Sequence, residues 1–163
     1  MMKNMLVPKE RLAVVIGKDG SVRKTIQKKT NTTISINDDV SISGEPLGVI
    51  AAERIILAIG RGFSPENAFE LLDDESRLEI IELPKNRKIL NRTRSRLIGT
   101  DGKIRKKIEY YTDTHISIYG KTVSIIGKND AVMLCRETLE KIISGSEYKS
   151  VFTFLVNKND KEH

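Results

Sequence analysis

One pattern of eleven residues occurs twice in this chain, and the repetition limits what the chain can fold into. Val14-Val15-Ile16-Gly17-Lys18-Asp19-Gly20-Ser21-Val22-Arg23-Lys24 is followed later by Arg96-Leu97-Ile98-Gly99-Thr100-Asp101-Gly102-Lys103-Ile104-Arg105-Lys106, with apolar, Gly-x-Asp-Gly and basic positions in the same order. The interval of 82 residues from Gly17 to Gly99 also relates Ile26 to Ile108, Thr30 to Thr112 and Ile34 to Ile116. A repeat of this length in a chain of 163 residues predicts two small structural units of similar order. Cores of that size are only marginally stable alone.

In the first unit, Met5-Leu6-Val7 closed by Pro8 predicts a strand. Leu12, Val15 and Ile16 share a helical face that Gly17 ends, and Val22 and Ile26 begin a second helix running to Asn31. Thr33 to Ile36 and Val40 to Ser43 alternate apolar and polar residues about Asn37-Asp38-Asp39, which predicts a hairpin. Leu47 to Ile59 is helical. Ser64-Pro65-Glu66 then reads as an N-cap, a first-turn proline and an acid, opening an acidic linker helix or an appendage on the first unit.

The second unit repeats the order. Leu78 to Leu83, closed by Pro84, predicts a strand, Arg87 to Ile98 a basic helix and Lys103 to Tyr111 the helix after the turn. His115 to Ile118 and Thr122 to Ile125 form a hairpin about Gly120, and a last helix opens at Asn129-Asp130. Phe152 to Val156 is an apolar tail, either a short element docking back on the protein, which is the expectation, or a partner contact.

Two glycines three apart permit positive φ and remove the Cβ that keeps a ligand's backbone at a distance. Before a helix, such a turn aims amide N–H groups and the positive end of the dipole at an anion. Neither copy matches Gly-x-x-x-x-Gly-Lys-Ser/Thr or Gly-x-Gly-x-x-Gly, so a nucleotide-hydrolysing or dinucleotide site is not supported.

The net charge of +6 suits a polyanionic partner, and its distribution says more. From Lys85 to Lys107 there are ten Lys or Arg residues and one acid, Asp101, whereas Glu66 to Glu82 holds seven acids and one base. The basic block surrounds the second glycine turn. The single cysteine, Cys135, excludes an internal disulfide and falls in an apolar helical pattern, which predicts a buried core residue. His115 and His163 have no acid or cysteine cluster beside them, so no metal site, cofactor or catalytic residue is expected. Of Tyr110 and Tyr111, one is expected to pack in the core. No stretch reaches the ~20 apolar residues that cross a bilayer, and the start of the chain has too short an apolar run for a signal peptide, so the expectation is a cytoplasmic, monomeric protein with no membrane contact.

Ile16-Gly17-Lys18-Asp19-Gly20 and Ile98-Gly99-Thr100-Asp101-Gly102, each between two helices and followed by a hairpin and a helix, resemble the GXXG signature of KH domains. The resemblance implies an α+β fold of two type I KH domains, each β-α-α-β-β-α with a three-stranded antiparallel sheet packed against three helices. The expected boundaries are 1–62 for the first domain, 63–75 for the acidic linker helix, 76–147 for the second domain and 148–163 for a C-terminal tail. In that family the loop clamps the backbone of about four nucleotides of a single strand beside an apolar groove.

Carried over, the resemblance implies that Gly17, Lys18, Asp19 and Gly20, with Gly99, Thr100, Asp101 and Gly102, hold phosphates. Ile16, Val22, Ile98 and Ile104 are then apolar groove or core positions, and Arg23, Lys24, Arg92, Arg94, Arg96, Lys103, Arg105 and Lys106 the basic surround. This chain departs from the usual pattern because Val22 and Ile104 come one place early, leaving Arg23 and Arg105 at the habitual apolar position. The second loop also has Thr100 where the first has Lys18. The layout further resembles the archaeal partner-of-Nob (Krr-like) ribosome-assembly factors. That implies single-stranded RNA as ligand, small-subunit rRNA in particular, with the rRNA-processing endonuclease and the alpha subunit of translation initiation factor two as protein partners. The alternatives are a protein-binding scaffold with degenerate KH folds and an RNA-binding protein of another RNA-processing pathway.

Overall fold

The computed structural model describes residues 1–162, with side chains described through residue 159; His163 lies outside the described residues. The chain divides into two units, Met1–Asp74 and Glu75 onward. In the first, β1 (Met2–Met5), α1 (Lys9–Ile16), α2 (Ser21–Thr30), β2 (Thr32–Ile36), β3 (Val40–Gly44) and α3 (Pro46–Gly60) follow the expected order. A short helix α4 (Pro65–Ala68) comes next, and a 3-10 turn, Phe69–Leu72, continues it. The second unit contains β4 (Ser76–Glu82), α5 (Arg87–Ile98), α6 (Lys103–Thr112), β5 (His115–Tyr119), β6 (Thr122–Lys128), α7 (Asn129–Ile143) and α8 (Tyr148–Glu162). Among the described residues no helix is long and apolar enough to cross a membrane.

Each sheet is antiparallel with the third strand in the middle, in the orders β1-β3-β2 and β4-β6-β5. Ile34 pairs with Ile42, and Ile116 with Ile125. The second hairpin carries one extra residue, so past it the repeat interval is 83: Ile42 corresponds to Ile125 and Gly44 to Gly127. Alternation sends Ile34, Val40 and Ile42 inward against Val15, Ile26, Val49, Ile55 and Ile59, all buried. The second core gathers Leu90, Leu97, Ile108, Ile116, Val123, Ile125, Val132, Leu139 and Ile142 in the same way.

Both helices after the glycine turns end alike. Asn31 and Asp113 each take φ of +54°, and in the last turn Thr30 Oγ1 donates to Ile26 O (2.6 Å) and Thr112 Oγ1 to Ile108 O (2.7 Å). Thr114 Oγ1 donates onward to Cys135 Sγ at 3.5 Å. Cys135 is fully buried, and burial pushes its thiol pKa up to about 11.

One boundary differs from the sequence expectation. β1 occupies Met2–Met5, upstream of the apolar run; Leu6 is 89% exposed and only Val7 turns inward. This is an edge strand with little burial on either face, so it carries no apolar alternation to betray it. After Gly62, Phe63, Ala68 and Leu71 are buried and the segment packs on α3. Ser64 Oγ caps α4 by accepting from Asn67 N at 3.1 Å. The C-terminal tail is a full helix, α8, that buries Val151 and Leu155 in the second core.

Candidate nucleic-acid interface

The two glycine turns have one geometry. Gly17, Asp19 and Gly20 take φ of +75°, +56° and +74°, and Gly99, Asp101 and Gly102 take +73°, +56° and +73°. Asp is among the few non-glycine residues that tolerate such values. Each turn is closed by its second glycine, with Gly20 N donating to Gly17 O and Gly102 N to Gly99 O, both at 3.2 Å.

The first glycine of each turn is required sterically. A Cβ on Gly17 would lie 2.8 Å from Val22 Cβ, and one on Gly99 would lie 2.8 Å from Ile104 Cβ. Val22 and Ile104 thus close over the turns. The second glycines, Gly20 and Gly102, have no neighbour nearer than 3.7 Å to such a Cβ, so only their backbone conformation demands glycine.

The helix starts that follow are left uncapped. α5 begins with Asn86 Oδ1 accepting from Lys88 N (3.1 Å) and Ile89 N (3.2 Å), whereas α2 and α6 begin at Gly20 and Gly102 with no side-chain cap. Ser21 N donates to Lys18 O and Lys103 N to Thr100 O, and the first-turn N–H groups that follow carry no side-chain cap. No acid lies in the first turn of either helix. Lys18, Asp19, Thr100 and Asp101 are exposed at the turn tips, and Lys24, Lys103 and Lys106 are exposed on the helices behind them. Lys24 Nζ also reaches Asp19 O at 3.3 Å.

The basic residues of α5 separate into three roles. Arg92 is exposed and makes no hydrogen bond or ion pair with the described residues. Arg94 Nη1 donates to Gly120 O at 3.0 Å, tying α5 to the tip of the β5–β6 hairpin. Arg96 donates from Nη1 to Ile142 O and from Nη2 to Ser146 O, both at 2.6 Å, so its guanidinium clamps the end of α7. Arg11 does the same in the first unit, reaching Ile59 O and Phe63 O at 2.8 Å each. The two arginines stand at different repeat positions, so sequence matching does not pair them.

Beside the second turn lies an open groove of about 660 Å³, lined by Arg92, Ser95, Arg96, Ile98, Gly99, Thr100, Lys103, Ile104 and Tyr148. Ile16 is half-buried in the first unit, as Ile98 is in the second. Ser95 and Tyr148 are the lining residues that the sequence pattern leaves out; for Tyr148, on α8, the spacing to Val151, Phe152 and Leu155 is the available signal. Tyr111 packs on the second core, while Tyr110 is 82% exposed near the end of α6 farther from the turn. Arg23 and Arg105 are half-buried on the first turns of α2 and α6, and Arg105 Nη1 pairs with Glu109 Oε1 at 2.7 Å.

Comparison with known proteins places this geometry. A family model described as eukaryotic type KH domain, type I, matches residues 77–160, a span that takes in most of α8. A general KH-domain model matches residues 2–58. A KH domain-containing protein of Methanocaldococcus jannaschii is 38% identical over 165 residues, covering 95% of this chain and 73% of that protein. The crystal structure of Dim2p from Pyrococcus horikoshii OT3 is 41% identical with a TM-score of 0.90, covering 96% of this chain and 99% of that one. A chain in the a/eIF2alpha–aDim2p–rRNA complex from the same organism is 40% identical with a TM-score of 0.91, covering 99% of this chain and 95% of that one. With one turn geometry built twice, one strand order in both sheets and family matches over each unit, this chain belongs to the KH-domain family as a tandem of two type I KH domains.

Proposed function

We propose that this protein is a non-enzymatic RNA-binding factor that holds single-stranded RNA on its two GXXG turns and acts in the maturation of small-subunit rRNA. The observation that carries the reading is the duplicated turn: two uncapped helix starts, each preceded by a glycine pair of matching φ and followed by cations. Phosphate oxygens are the acceptors such a turn fits. Lys18, Asp19, Thr100 and Asp101 form the tips, Lys24, Lys103 and Lys106 supply charge, and Arg92 with the open groove extends the second site toward the bases. The similarity to Dim2p, whose complex contains rRNA and a/eIF2alpha, supports small-subunit rRNA as the ligand and the initiation-factor alpha subunit as a protein partner.

The test is crosslinking of the intact protein to RNA in cell extract, followed by sequencing of the bound fragments. Enrichment of single-stranded small-subunit rRNA near its maturing end supports the reading. Fragments dominated by other RNAs contradict the rRNA assignment, and no crosslink above that of a Lys18→Asp/Lys103→Asp variant contradicts RNA binding.

A protein contact in addition is favoured by the outer face of α3, where Leu47 is 82% exposed, Ile50 47% and Leu57 37%. Leu47→Asp should abolish a pull-down of the initiation-factor alpha subunit if that face carries the contact.

A further inference from the structure

The two KH domains present the same arginine in different company. Arg23 Nη2 lies 4.0 Å from where a Cβ on Gly20 would sit, and Arg105 Nη2 lies 3.9 Å from that of Gly102. Both guanidinium groups therefore lie beside the second glycine of the turn. Four residues on, Gln27 Oε1 accepts from Ile34 N at 2.8 Å, and Glu109 Oε2 accepts from Ile116 N at 2.8 Å. The main-chain bond is thus duplicated.

The remaining atom of each side chain differs in kind. Glu109 has a second carboxylate oxygen, which takes Arg105 Nη1 at 2.7 Å. In Gln27 the corresponding atom is an amide NH2, a donor that offers Arg23 no such acceptor, and Oε1 takes Ile34 N. Arg23 Nε is buried and has no hydrogen-bond partner among the described residues. A desolvated guanidinium N–H without an acceptor costs free energy, which favours a swing of the side chain toward a ligand oxygen or ring nitrogen.

Resting on the RNA-binding reading above, we propose that Arg23 is a specificity-determining RNA contact of the first domain, and that Glu109 silences the equivalent Arg105 in the second. Arg23 stands where a nucleotide held by the turn presents its phosphate and base edge, and its fork matches paired acceptors such as guanine O6 and N7. Arg105 has its charge neutralised within its own domain and adds little to the second site.

The test exchanges the two partners in the intact chain. In a background of Thr100→Asp, which loads the second turn with negative charge, binding of a uridine-tract single strand and of the same strand with one guanosine is followed by fluorescence anisotropy. Gln27→Glu keeps the acceptor for Ile34 N and supplies Arg23 with a carboxylate, so affinity should fall roughly tenfold, as should that of Arg23→Gln. A loss confined to the guanosine strand identifies a base-edge contact and supports the proposal, whereas an equal loss on both identifies a phosphate contact and overturns the specificity role. Reciprocally, Glu109→Gln in a Lys18→Asp background should raise affinity. Thermal melts of each variant separate binding from folding. Unchanged binding by folded Gln27→Glu and Arg23→Gln overturns the proposal while leaving RNA binding intact, as does a Thr100→Asp chain that binds nothing when the wild type binds. A wild-type chain that binds neither strand overturns the RNA-binding reading itself.

Discussion

The Tyr148 hydroxyl donates to Arg96 O at 2.7 Å, while the Arg96 guanidinium lies 5.0 Å from the centre of the Tyr148 ring. With its two bonds to Ile142 O and Ser146 O, Arg96 thereby joins α5, the end of α7 and the start of α8 at the rim of the second groove. Arg96→Ala should therefore lower stability by about 2–3 kcal/mol, the cost of losing charged donors and leaving carbonyls unpaired. Arg92→Ala, one turn away and unpaired among the described residues, should stay within about 0.5 kcal/mol of wild type in urea unfolding while weakening RNA binding.

Gly99→Ala and Gly102→Ala should behave differently although both glycines have φ of +73°. Alanine at Gly102 meets only the conformational penalty, about 1–2 kcal/mol. At Gly99 the new methyl also meets Ile104, so the loss should be larger by about 1–3 kcal/mol. Adding Ile104→Ala should recover part of it, and a double-mutant cycle with no coupling between the two sites would contradict this packing.

Cys135 gives the second domain a sensitivity to alkali. Its folded pKa of about 11, raised chiefly by burial, lies above the ordinary value of 9.0. The neutral thiol is then favoured in the folded state, so this contribution is fully present below pH 9.0 and declines as pH rises toward 11. Relative to Cys135→Ala, the wild type should lose about 2–3 kcal/mol across that window. Parallel pH curves for the two proteins would contradict the assignment, as would rapid thiol modification at neutral pH.

Helix α8 belongs to the second core. Leu155→Ala should cost about 2–5 kcal/mol, since Leu155 is fully buried, while Val156→Ala beside it should cost little. Equal effects at the two positions, measured by urea unfolding, would contradict the docking.

Much of the fold is legible because the chain states it twice. The glycine pairs, the Asn31 and Asp113 helix ends and the alternating hairpins all follow from local rules. β1 escapes because an exposed edge strand needs no apolar alternation, and α8 because its buried residues are spread through a largely polar helix. The turn tips are equally legible, but the partners of the basic residues are not. Sequence places Arg92, Arg94 and Arg96 in one basic block, whereas contacts with Gly120, Ile142 and Ser146, all distant along the chain, divide their roles. The exchange of Gln27 for Glu109 gains meaning only once both side chains are seen on the edge strand.

The proposed binding of single-stranded RNA phosphates at the uncapped helix starts behind the two glycine turns is tested most directly by a salt titration of the intact protein with single-stranded RNA. Log affinity should fall linearly with log salt, with a slope of about −0.7 for each phosphate neutralised, and Lys18→Asp and Lys103→Asp should each make the slope shallower. Affinity independent of salt, or slopes unchanged by both substitutions, would contradict it.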